Sequence, residues 1–174
     1  IRDLSAVVEQ IDQATISPAG LAKLRKIKAE TLPLVKGEPR LGVPYVGISK
    51  FVAIGLNFAD HAREANMAIP PEPIVFMKVT TCITGPNDKV IVPRNSTKLD
   101  WEVELGVVMS RKAQYVPEDK ALDYVAGYCV VNDVSERAFQ LQSSQWDKGK
   151  GCDTFGPIGP WLVTTDEIRD PQNL

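Results

Sequence analysis

Trp101-Glu-Val-Glu-Leu-Gly-Val-Val-Met109 is the clearest strand in the chain, with polar and apolar residues alternating at its start. On a strand, residues two apart share a face, so Glu102 and Glu104 project together while Trp101, Val103 and Leu105 face the other way. Two carboxylates side by side repel unless a cation neutralises them. A hard divalent ion (Mg²⁺, Mn²⁺ or Ca²⁺) would resolve the conflict. A wet edge strand bearing two exposed acids is the plain alternative.

Working outward, strands dominate. Phe51–Leu56, Ile74–Met77, Val90–Val92, Tyr128–Val131 and Trp161–Val163 all read as short strands. Gly85-Pro-Asn-Asp88 reads as a turn. Helices are expected from Ser17-Pro18 to near Glu30, over Phe58–Asn66 behind an Asn57 cap, and from Pro117 to Ala126 with Gly127 as the stop. A short one is expected over Val134–Gln140. Strands outnumber helices and do not alternate regularly with them, which predicts an α+β, β-rich fold rather than a doubly wound one. Residues 1–46, rich in Pro and Gly after the first helix, form a small N-terminal appendage and linker. Residues 47–174 form the main body.

The 174 residues carry 20 Lys+Arg against 22 Asp+Glu, a net charge of -2. That balance argues against binding nucleic acid through bulk charge and against a polybasic membrane anchor. No apolar run approaches the roughly 20 residues of a membrane span. Cys82, Cys129 and Cys152 are odd in number and far apart, with neither zinc spacing nor a disulfide framework. A cytoplasmic setting is expected. Both ends look cut: the chain starts at Ile1 and stops in Asp170-Pro-Gln-Asn-Leu174.

Further candidate groups flank the acidic pair. Asp133 ends an apolar strand and either caps the following helix or adds a third oxygen ligand. His61, the only histidine, lies three residues before Glu64, so both share a helix face. They form either a water-activating pair or a weak surface contact. Lys150 sits in a Gly-rich loop, where it either pairs with a carboxylate or a developing enolate or is simply solvated. Arg137 and Gln140, three apart, either reach the same pocket or cap their helix.

Taken in order, several segments resemble the fumarylacetoacetate hydrolase family from about Gly47 to the end. They are Gly55-Leu-Asn-Phe-Ala-Asp-His61-Ala-Arg-Glu64, Asp100-Trp-Glu-Val-Glu-Leu105, Ala126-Gly-Tyr128, Asn132-Asp-Val-Ser-Glu-Arg137-Ala-Phe-Gln140, Gly149-Lys150, Asp153-Thr-Phe-Gly-Pro157 and Gly159-Pro-Trp161. The opening Ile1-Arg-Asp-Leu-Ser5, the Ser17-Pro-x-Gly-Leu21 helix and the final residues are similar to a bacterial subgroup. That subgroup carries the labels ureidoglycolate lyase and 2,4-diketo-3-deoxy-L-rhamnonate hydrolase.

The resemblance implies a mixed β-sheet core and a homodimer. It implies metal ligation by Glu102, Glu104 and Asp133, usually of Mg²⁺ or Mn²⁺, and a water-activating His61–Glu64 dyad on a lid. Lys150, Arg137 and Gln140 would hold a 2-oxo acid substrate. The implied activity is hydrolysis of a C–C bond in a 2,4-diketo (sugar) acid or acylpyruvate, giving pyruvate and a second small acid. Lyase, decarboxylase and isomerase chemistry on the same site are alternatives, as is a non-catalytic assembly unit. Phe58 stands where the family often has Tyr, and Gly151 where Ser often follows the lysine. The family continues into a further C-terminal half, so a partial chain is expected.

Overall fold

The computed structural model describes all residues, 1–174. Its centre is a four-stranded mixed sheet in the order β3-β8-β6-β5, made of β3 (Ile83–Thr84), β5 (Val103–Met109), β6 (Val125–Asn132) and β8 (Gly156–Thr164). The β5–β6 and β6–β8 pairs are antiparallel, and β3 runs parallel to β8. Two antiparallel pairs flank it: β1 (Phe51–Gly55) with β2 (Ile74–Lys78), and β4 (Leu99–Asp100) with β7 (Ser135–Glu136). Four short helices complete the chain: α1 (Pro18–Leu24), α2 (Ala59–Glu64), α3 (Arg137–Gln140) and α4 (Asp147–Lys150). The architecture is α+β and strand-dominated, as the patterning predicts. No helix is long and apolar enough to cross a membrane.

Two small apolar clusters hold the sheet. Cys82, Val134 and Phe155 form one; Cys129, Val131 and Ile158 form the other; Phe51 and Ile83 pack against both. The expected Gly85–Asp88 turn is present, and the Asp88 carboxylate organises it. That carboxylate accepts from the Gly85 amide at 2.8 Å, the Thr84 hydroxyl at 2.7 Å and the guanidinium of Arg40, which ties the N-terminal arm to the turn.

Several boundaries differ from the sequence reading. The Ser17 hydroxyl caps α1 through the Gly20 amide, as expected, but the helix stops at Leu24 because it buries no residue and a two-turn helix cannot sustain itself. Glu118–Tyr124 is a 3₁₀ helix, and Val125 already pairs with Met109, so the ladder overrides helix propensity. Gly127 therefore lies inside β6 rather than at a helix end. Its missing side chain is still required, since a Cβ there would lie 2.2 Å from the Val163 carbonyl oxygen.

Val90–Val92 makes no ladder; the Ile91 amide donates to the Thr154 hydroxyl instead. Phe58, not Asn57, occupies the cap position of α2, with no side-chain cap bond. Val134–Gln140 divides into strand β7 and helix α3. The final strand is longer than Trp161–Val163, running from Gly156 to Thr164.

Gly106 faces Cys129 across the β5–β6 ladder, where an added Cβ would come within 2.7 Å of both the Cys129 sulfur and a Val131 methyl. Gly106→Ala is expected to cost about 1–3 kcal/mol by overpacking. Urea unfolding of both proteins measures this, and coincident midpoints would show that the neighbours yield freely.

Candidate active site

Glu102 and Asp133 meet because the β5–β6 ladder ends there. Val103 pairs with Asn132, the Asp133 amide donates to the Glu102 carbonyl at 2.9 Å, and the Glu102 amide is 3.3 Å from the Asn132 side-chain oxygen. Glu102 itself thus lies one residue outside β5. The opposite face is more open than the sequence suggests, with Trp101 70% and Val103 69% exposed.

Lys150 reaches the acids from the last residue of α4. That helix docks on β2 through the Asp147 carboxylate, which accepts from the Met77 amide at 3.2 Å. Gly149 lets it press on α3, since a Cβ there would fall 2.5 Å from the Gln140 amide and 2.6 Å from the Glu136 carbonyl. The buried Lys150 ammonium then donates to both Glu102 oxygens, at 2.8 and 2.9 Å, and to Asp133 Oδ2 at 2.9 Å. It also sits 5.1 Å from the centre of the Phe76 ring, which Trp146 supports edge-on.

Arg137 is 2.5 Å from Glu102 Oε1 and is steadied by Asp100 and by Gln140, whose side-chain oxygen accepts at 2.9 Å. The buried Glu136 carboxylate sets the start of α3, accepting from the Ala138 and Lys98 amides and from Ser96.

A second lysine, Lys78, escaped the sequence reading. Its side chain is fully buried and donates to Asp133 Oδ1 at 2.5 Å, to the Val134 carbonyl at 3.2 Å and to the Lys150 carbonyl. A signal existed: Ile74, Phe76 and Lys78 share the half-buried face of β2 by the period of two, and a charge on such a face needs a partner.

The charges divide unevenly. Burial raises the Glu102 carboxyl, but the bonds from Lys150 and the nearby Arg137 outweigh it and hold Glu102 below the usual carboxylate range. Glu104 has no such partner. Burial, then the negative charges of Glu102 and Asp133, push its carboxyl above the usual range, and Lys150 offsets this only in part. Three hard carboxylates with an uncompensated member fit a divalent cation chemically. As arranged around the Lys150 ammonium, however, no three acidic, histidine or cysteine side chains stand close enough to share an ion.

His61 and the acids line one cavity of about 1090 Å³, together with Arg137, Gln140 and Lys150. It is at the upper end of the size range of small-molecule sites. Glu64 does not line this cavity and makes no hydrogen bond to His61; the ion pair on α2 is Asp60–Arg63. Both His61 and Glu64 are exposed.

Residues 50–174 match the family model described as fumarylacetoacetate (FAA) hydrolase C-terminal. A curated relative from Burkholderia cenocepacia, named a "Putative hydrolase", is 62% identical over 175 residues, covering all of this chain and 62% of the relative. The chain thus spans 62% of the length of the curated relatives that it matches. Among solved structures, "a putative HpcE protein" from Mycobacterium smegmatis superposes with a TM-score of 0.81 at 37% identity, over 98% of this chain and 62% of that one. A 5-carboxymethyl-2-hydroxymuconate delta-isomerase, also from M. smegmatis, gives 0.64 at 41% identity, over 72% and 49%.

Because Glu104 is raised in the folded state, the native protein holds a proton there that the unfolded chain has already released. Stability contributed by that proton is therefore lost as pH rises through the carboxylate range. Glu104→Gln is expected to be more stable than wild type at pH 7, by a modest amount because the group is half-exposed. The gain should vanish at pH 4. Urea midpoints at the two pH values test this, and a gain that grows on acidification would contradict it.

Proposed function

The chain belongs to the fumarylacetoacetate hydrolase family, and from the cluster it builds we propose a divalent-metal-dependent hydrolase of 2,4-diketo acids. The substrate is an acylpyruvate or a diketo sugar acid. Water adds to the distal carbonyl, the adjoining C–C bond breaks, and its electron pair leaves as the enolate of pyruvate. The second product is a carboxylic acid. One observation carries the reading: a lysine ammonium lies between two carboxylates beside a third that has no cation.

Glu102, Glu104 and Asp133 would hold Mg²⁺ or Mn²⁺, which when bound polarises the 2-oxo acid as a Lewis acid. The chain's own residues do the rest. Lys150 pairs with the substrate's carboxylate and with the charge that develops on the leaving enolate. Arg137, held by Asp100 and Gln140, adds positive charge at the same end and keeps the Glu102 carboxylate ionised. His61, on the cavity wall, takes the proton from the attacking water. Glu64 would orient His61 only after their side chains change rotamer, since the two are not bonded in this arrangement. The apolar walls at Phe58, Met67, Phe76 and Trp146 limit competing water.

Isomerisation of a 2-oxo acid on the same site is the second reading, favoured by the M. smegmatis isomerase at 41% identity. Product analysis separates the two: pyruvate accumulates with an acylpyruvate under the hydrolase reading and does not under the other. Glu104→Ala is expected to abolish Mg²⁺ binding in calorimetry, and Lys150→Met to lower kcat by about 10²–10³-fold, as removal of one such electrostatic donor does. Full Mg²⁺ affinity in the Glu104 variant would remove the metal site from the account.

A further inference from the structure

The ammonium of Lys150 has three N–H donors, and all three are spent: two on Glu102 and one on Asp133. In this arrangement it has nothing left with which to hold a substrate. Each carboxylate that it binds has a second cation of its own. Lys78 is 2.5 Å from Asp133 Oδ1, and Arg137 is 2.5 Å from Glu102 Oε1.

Lys78 cannot leave. It is fully buried, and its three donors go to Asp133 and to two backbone carbonyls, one of them belonging to Lys150 itself. Arg137 is braced by Asp100 and Gln140. Lys150 is the only one of the three cations whose bonds all run to these candidate ligands. Its departure would not strand a buried carboxylate without a counter-charge, which is the costly event in such clusters. The cavity is at hand, because Lys150 lines it and its ammonium already lies 5.1 Å from the centre of the Phe76 ring on the same wall.

From this geometry we infer that Lys150 is an exchangeable cation. Its ammonium bridges Glu102 and Asp133, two of the acids that would hold a divalent ion, and ion binding expels it into the cavity, where its donors become free for the substrate's carboxylate. Lys78 and Arg137 are positioning residues that keep both acids partnered and in place during the exchange. The inference rests on the metal-site reading proposed above. It adds that the ion and the bridging lysine exclude each other, so that one binding event both loads the site and arms the lysine.

Calorimetric titration with Mn²⁺ alone, on the purified wild type and Lys150→Met, tests this without any turnover. Removal of a competing cation is expected to tighten Mn²⁺ binding at least threefold. A lysine that merely supported the site would give equal or weaker binding in the variant, and that result overturns the inference while leaving the metal site standing. No Mn²⁺ binding by wild type would sink both.

Should Lys150→Met fail to fold, acetic anhydride labelling of the wild type, read by mass spectrometry, decides. Mn²⁺ is expected to speed acetylation of Lys150 at least threefold and to leave Lys78 unlabelled. Unchanged or slower Lys150 labelling overturns the exchange.

Discussion

Five charged side chains at the end of one β-ladder, Glu102 and Asp133 against Lys78, Arg137 and Lys150, constrain the whole candidate-site region. Ionised groups with little access to water are tolerated only when they are paired and hydrogen-bonded. The surrounding fold meets that requirement from four directions. The β5–β6 ladder delivers Glu102 and Asp133, the end of β2 delivers Lys78, α3 delivers Arg137, and α4 delivers Lys150. Displacing any one of these elements leaves a charge without its partner.

The pairing is also graded. Asp133 is held on both oxygens by buried lysines, Glu102 shares its bonds between Lys150 and Arg137, and Glu104 has no cationic partner. A site balanced in this way has one anchored acid, one adaptable acid and one acid that seeks a cation. Such a gradient fits the proposed exchange of the bridging lysine for a hard ion, since Glu102 and Asp133 already flank one cation. It also gives the β1–β2 pair a role beyond enclosing the cavity, since β2 carries Lys78, the buried partner of Asp133, and Phe76, the ring beside the Lys150 ammonium.

How much of this was legible beforehand varies with the range of the interaction. Local chemistry read well. The Ser17 cap, the Gly85–Asp88 turn and the strand character of the segment after Trp101 all depend on near neighbours and are present. The segment from Pro117 to Gly127 read poorly because its helix signals, a proline, two acids and a glycine, are local, whereas Val125 and Gly127 belong to a ladder whose other strands lie far away in sequence. Local context reads Gly127 as a helix stop, yet the close approach it permits is to the Val163 carbonyl. His61 and Glu64 show the limit of helical spacing: three residues apart places them on one face but does not make them touch.

The order of residues alone carries the strand-rich α+β class, the acids and cations that meet in the candidate site, and the family whose motifs run through it in order. Who neutralises whom is legible only in three dimensions. Lys78 became the standing partner of Asp133, Lys150 the bridge between two acids, and Glu104 the member without a cation. Charge pairing acts over a few ångströms of space between residues far apart in the chain, 55 positions for Lys78 and Asp133, and no periodicity or spacing rule encodes such a distance.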